Sequence, residues 1–238
     1  MLSLPELPRV LDCYLDLAHI ARERLGGVLG GKLLFRSGFD RDGIAILIAA
    51  SIAGAASLCV EEDGVLLREG LRHGFCDFVV NSLDEALRIL KNEVRRARPV
   101  SVGVTRAPSL CMEEMLDRGL QPDLVSPGAS VNEARLFFDR GAIRILEQPS
   151  HRSGTFLLLW TATEPAKTLP RLAMLAGEAL DPAHPDTPAR LRWLQTGPRY
   201  LGRAFGPRQC LRMTPEEMAL LLPRAQAAFP STTFLHEG

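Results

Sequence analysis

Six residues, Gly38-Phe-Asp-Arg-Asp-Gly43, carry the densest chemical signal in this chain. Lys32-Leu-Leu-Phe-Arg-Ser-Gly38 before them reads as a buried strand, and the apolar run Ile44–Gly54 after them as a buried helix. A strand, a tight turn and a buried helix open the βαβ units that bind dinucleotides, where glycines let a pyrophosphate reach the backbone N–H groups of the helix start. The middle of this turn instead holds two carboxylates, Asp40 and Asp42. A helix N-terminus favours an anion by about 0.3–1 kcal/mol, and here the chain supplies that anion itself. A pyrophosphate beside them would be repelled by about 1–4 kcal/mol, depending on the local dielectric. Three readings follow: a simple N-cap for a core helix, a site remade for a cation or an amine, or a retained dinucleotide site.

Other residues point to the same crevice. Glu61-Glu62-Asp63 closes the second strand, at the end of a parallel sheet where ligands gather, and Glu61 stands where an acid binds ribose hydroxyls. Arg106, at the end of the fourth strand, also faces that crevice, and an ion pair from it to Asp40 or Glu61 is one way to replace a lost ligand charge. Gly38, Asp40, Gly43, Glu61 and Arg106 are therefore the candidate cofactor- or ligand-binding residues. A second cluster, Arg190, Arg192, Arg199, Arg203, Arg208 and Arg212, lies in a stretch without an acid and is interleaved with Trp193, Tyr200 and Phe205. Arginine among aromatics suits phosphate or carboxylate ligands, which makes Arg199 and Arg203 anion-binding candidates. The plainer reading is a helix face whose arginine stems cover the core. The five histidines (His19, His73, His151, His184 and His236) have no metal-ligand spacing with each other or with cysteine, so no metal is expected. No nucleophile–base triad can be assembled, and no catalytic residue is assigned.

Composition bounds the rest. The 238 residues, 46% of them hydrophobic, suit one large domain or two small ones. A formal net charge of zero gives no support to nucleic-acid binding or to a membrane-surface role. Five widely spaced cysteines without a CxxC read as reduced, mostly buried thiols of a cytoplasmic protein. The first nine residues lack a signal-peptide pattern, and the longest apolar run, residues 44–60, is too broken for a membrane span. A small-molecule or protein partner is expected, and self-association is left open.

The elements that position these residues follow from periodicity. A helix over residues 7–25 leads into five strands alternating with helices, each strand apolar on both faces. That pattern predicts an α/β fold, a doubly wound, mostly parallel sheet covered on both sides. Ser82 with Glu85 reads as a capping box, and Ser109 as the start of the fifth helix. After residue 141 the pattern changes to a smaller α+β lobe, so the division is 1–141 and 142–238. In that lobe, residues 143–147 and 155–161 read as strands joined by a hairpin-like turn at 148–154. A helix over 190–205 is expected to break at Gly197-Pro198, and Thr214-Pro215 opens a last helix.

The stretch from Ala18 to Ser130 resembles the central Rossmann-like domain of the urocanase (urocanate hydratase) family. The blocks that carry this are Arg24-Leu-Gly-Gly, Gly31-Lys-Leu-Leu, Gly38, Gly43, Ala49–Ser51, Val60-Glu61, Gly74-Phe-Cys-Asp77, Ser82-Leu-Asp-Glu-Ala-Leu87, Ser101-Val-Gly103 and Gly119-Leu-Gln-Pro-Asp-Leu-Val125. The resemblance implies NAD on the glycine-rich first turn. This chain departs from the family there: only Gly38 and Gly43 match glycines, the Gly-Asn pair after the fourth strand is Arg106-Ala107, and the Asp-Gln-Thr-Ser element is Pro127-Gly-Ala-Ser130. The expectation is a urocanase-like protein without urocanase activity that binds a small ligand or partner at the carboxyl-end crevice, with no cofactor. The rivals are an NAD(P)-dependent enzyme with a modified nucleotide site, and a non-catalytic regulatory or scaffolding module.

Overall fold

The computed structural model describes residues 2–146 and 154–237. His151 and most of the turn expected at 148–154 lie outside them. The chain order is α1 (Leu7–Arg24), β1 (Leu33–Ser37), α2 (Arg41–Ala53), β2 (Ala56–Glu61), α3 (Gly64–His73), β3 (Phe78–Val80), α4 (Leu83–Arg95), β4 (Val100–Thr105), α5 (Pro108–Asp117), β5 (Leu124–Ser126), α6 (Arg135–Asp139) and β6 (Ile143–Arg144). There follow β7 (Phe156–Thr161), α7 (Pro165–Ala179), α8 (Thr187–Phe205), β8 (Arg208–Met213), α9 (Pro215–Ala228) and β9 (Thr233–Glu237).

The first six strands form one parallel sheet in the order β3-β4-β2-β1-β5-β6. The chain leaves β1 toward β2 and later returns to its other side as β5, so the topological switch point lies between β1 and β5. Strand residues alternate between two cores, as a period of two requires. Leu34, Cys59 and Leu124 face the core that holds α2 and Leu67 of α3. Phe35, Leu58, Val60, Val102 and Val125 face a second core with Leu83, Ala86 and Leu90 of α4, Cys111, Met112 and Met115 of α5, and Phe137. The sheet is thus doubly wound, as its apolar strands and helical crossovers predict.

α2 is buried from Gly43 to Ile52, because α1 and α8 cover the side that turns away from the sheet. This ties the C-terminal lobe to the parallel sheet. Tyr14 Oη donates to the Ala189 carbonyl (2.8 Å), Arg192 Nε to the Ile52 carbonyl (2.9 Å), and Arg212 makes a two-pronged pair with Asp12 (2.6 and 2.9 Å). All five cysteines are buried and unbridged. Burial pushes the thiols of Cys13 and Cys76 up to about 12 and that of Cys111 to about 11. No helix among the described residues is long and apolar enough to cross a membrane.

Several details differ from expectation. The parallel sheet continues past residue 141, because Ile143 pairs with Leu124. β7 pairs antiparallel with β8 and β9 in a separate sheet, so residues 143–144 and 156–161 are not arms of one hairpin. β9 is an added strand. α8 runs through Gly197-Pro198 without a break. Burial of Trp193, Leu194, Leu201 and Phe205 outweighs the lost backbone bond, and a side chain at Gly197 would press on Leu201 at 3.3 Å. α5 starts at Pro108 rather than Ser109. Ser82 caps α4 as expected, but Glu85 turns to the Asn81 N–H (3.1 Å), completing only half a box. The full box is at Thr214 and Glu217.

Arg190, the first arginine of the acid-free basic stretch, is buried. Its Nη1 donates to Glu217 Oε2 at 2.6 Å and its Nη2 to Thr187 Oγ1 at 2.9 Å. Burial acts to raise the Glu217 pKa, but Arg190 and the amides of Asp181 and Thr214 outweigh it and hold it below the ordinary 4.5. Glu217→Ala is expected to cost about 3–5 kcal/mol in urea unfolding, because it leaves a buried guanidinium unpaired. Since the folded pKa is depressed, the Glu217 contribution is complete above 4.5 and lost as pH falls below that value. A denaturation series from pH 6 to 3 on wild type and Glu217→Gln measures the difference.

Candidate functional site

The carboxyl end of the sheet gathers Gly38, Asp40, Gly43 and Glu61 as expected, around a residue that was not anticipated. Arg36 points from β1 into the switch point and is fully buried. Its Nη2 donates to Asp40 Oδ1 at 2.7 Å, its Nη1 to Ser126 Oγ at 2.9 Å and its Nε to the Gly38 carbonyl at 3.2 Å. Asp40 is also the N-cap of α2, and the same Oδ1 accepts the Gly43 N–H at 2.7 Å. One carboxylate thus joins the buried cation to the helix start, where a bound anion is favoured.

Three further donors at the turn are also taken. The Gly38 N–H goes to the Val60 carbonyl (2.8 Å), the Phe39 N–H to Glu61 Oε2 (2.9 Å) and the Ile44 N–H to the Asp40 carbonyl (2.9 Å). Glu61 Oε1 accepts from the Asp63 N–H (2.9 Å), so the acid expected to hold ribose instead braces two loops. Phe39 is buried with its ring over Gly70 of α3, where an added Cβ would lie 2.3 Å from Cζ. Outside the turn, Arg9 pairs with Asp42 (2.8 Å) and Glu6 with Arg41 (2.6 Å), clamping it to the start of α1.

From the far side of the switch point, residues 127–130 fold over β1. Ser130 Oγ lies 2.9 Å from Ser37 Oγ, and a Cβ at Gly128, whose φ is +55°, would stand 2.4 Å from the Ser37 carbonyl. Gly43 is needed for a related reason. A Cβ there would meet the Gly38 carbonyl at 2.7 Å and Arg36 Nε at 2.8 Å.

Arg106 does not join this group. It pairs with Glu114 of α5, which also holds Arg118 at 2.5 Å, so the nearer acid on the following helix wins over Asp40 and Glu61. Arg199 and Arg203 sit on α8, and the exposed Arg199 guanidinium lies over the Tyr200 ring at 5.5 Å. No group of three or more potential metal ligands occurs among the described residues.

A parallel sheet with these crossovers has many relatives, and the sequence decides among them. The family model of the urocanase Rossmann-like domain matches residues 10–135, more than half of the chain. The chain belongs to the urocanase family. The match ends at Arg135, the first residue of α6, so β6 and the α+β lobe lie beyond it. Within that urocanase domain, the residues present do not fit a dinucleotide on the first turn. The Arg36 head and the Asp40 carboxylate fill the space beside Gly43, and four of the turn's N–H groups already have partners in the chain.

Arg36 was hidden by its setting in an apolar strand. The available signal was a charged residue where burial demanded a partner, four positions before Asp40.

Asp40→Ala removes both a cap and the partner of a buried cation, and is expected to cost about 3 kcal/mol, against about 1 for a cap alone. Chemical denaturation of Asp40→Ala and Asp40→Asn separates the two contributions. Gly70→Ala is expected to cost about 1–3 kcal/mol by overpacking Phe39. A Phe39→Leu background should recover part of that loss in a double-mutant cycle.

Proposed function

We propose that this urocanase-family chain is a binding protein rather than a hydratase, recognising a small ligand or a protein partner without a dinucleotide on its first βα turn. The observation that carries this reading is the Arg36–Asp40 pair at 2.7 Å, with Gly43 donating to the same carboxylate oxygen. A pyrophosphate would have to displace an internal anion from a buried guanidinium and a helix start at once. Contact at this end of the sheet is then confined to the rim, where Asp40, Glu62 and Asp63 remain exposed. Membership of the family fixes the fold of the domain and not its chemistry.

Isothermal titration of the full chain with NAD and NADP tests the reading. No saturable uptake is expected at ligand concentrations up to about 1 mM, the range of very weak binding, and no loss of urocanate absorbance when the two are mixed. Micromolar uptake of NAD, abolished by Arg199→Ala or Arg203→Ala, would overturn it in favour of a nucleotide enzyme.

A further inference from the structure

At the opposite end of the sheet, before β1, β2 and β4, a cleft of about 630 Å³ opens between the parallel-sheet domain and α8. We propose that it binds a small carboxylate with an apolar body, held at its charged end by Arg192. The volume lies within the range of about 300–1,000 Å³ typical of small-molecule sites.

The walls are largely alanine, glycine and proline, and include no Asp or Glu. Two arginines line the cleft. Arg22 is matched, since it donates to Glu23 (3.0 Å) and to Asp186 (3.0 Å). Arg192 is not: among the described residues it pairs with no carboxylate, and its one hydrogen bond runs from Nε to the Ile52 carbonyl. That bond fixes the guanidinium across the last turn of α2, where a positive charge suits the helix dipole. Gly54, the left-handed cap of α2 at φ +99°, makes room for it, since a Cβ there would stand 3.0 Å from Nη2. The two terminal nitrogens are left to donate to a ligand in the planar geometry that carboxylates match.

The head group follows from charge. One unmatched cation beside the carbonyl end of a helix suits a monoanion. A phosphate dianion would leave excess negative charge against that end. The apolar body follows from the walls, with Tyr14 and Ala18 of α1 on one side and Pro188 and Ala189 of α8 on the other. The Tyr14 hydroxyl is already bonded to the Ala189 carbonyl, and its burial raises its pKa, so it contributes a fixed neutral wall. This site stands apart from the first turn: NAD uptake would overturn the function proposed above and leave this inference intact.

The test is titration of the full chain with octanoate and 1-naphthylacetate, each beside its amide and with octyl phosphate as a dianion control. Heat and Trp193 fluorescence report binding, because the Trp193 ring lies 5.5 Å from Tyr14 in the cleft wall. The expected result is one site, binding at least one acid about tenfold more tightly than its amide and more tightly than the phosphate. Arg192→Gln should abolish the preference for acid over amide, and Ala18→Leu should weaken both. No uptake of either acid, equal affinity for acid and amide, tighter phosphate binding, or an unchanged preference in Arg192→Gln would overturn the inference. Should Arg192→Gln not fold, the wild-type acid-to-amide ratio and the Ala18→Leu titration decide between the two outcomes.

Discussion

A buried guanidinium must be hydrogen-bonded on nearly every side or the fold loses several kcal/mol. Arg36 sets that constraint at the switch point, and the surrounding residues answer it: Asp40, Ser126 and the Gly38 carbonyl as acceptors, with Gly43 leaving space for the head. In this family position a glycine-rich turn would admit an external anion. Here the anion at the helix start is a side chain of the chain itself, four residues after the arginine it pairs with. Gly43 is required by the same demand, whereas Gly38 is required by its left-handed backbone, with φ at +88°. The space beside Gly43 holds the arginine head and its carboxylate.

The consequences spread through ordinary packing. Asp40 both caps α2 and neutralises Arg36, so the position of the core helix and the closure of the crevice are one interaction. Glu61 and Phe39 extend the closure to β2 and α3, and the loop after β5 seals it from the other side. The sheet therefore has two unlike ends. Its carboxyl end is filled and cross-bonded. Its amino end, walled by small residues, stays open where the second lobe meets the first.

The sequence spoke most clearly where local and long-range demands agreed. The apolar strands, the helical crossovers and the caps at Asp40, Ser82 and Thr214 were legible because each is set by residues close in the chain. Partner choice was not. Arg106 lies beside the crevice in strand order, yet nothing in spacing reveals that Glu114 comes nearer. Arg190 and Arg212 looked like an unmatched basic run because their acids, Glu217 and Asp12, are far away in sequence or on another element. Gly197-Pro198 looked like a break because the burial of Trp193 and Leu201 against other elements is a tertiary fact. The cleft beside Arg192 is assembled from four separate parts of the chain, and no local signal marks it.

α2 has a further consequence for how the protein is made. One of its two outer covers, α8, is bonded to it through residues 140 positions apart. At synthesis rates of about 5–20 residues per second, that cover reaches the ribosome exit on the order of ten seconds after the helix it shields. For that interval a cylinder of isoleucine, leucine and alanine emerges with one flank bare. That flank is covered only once the second lobe has been made and has packed against it.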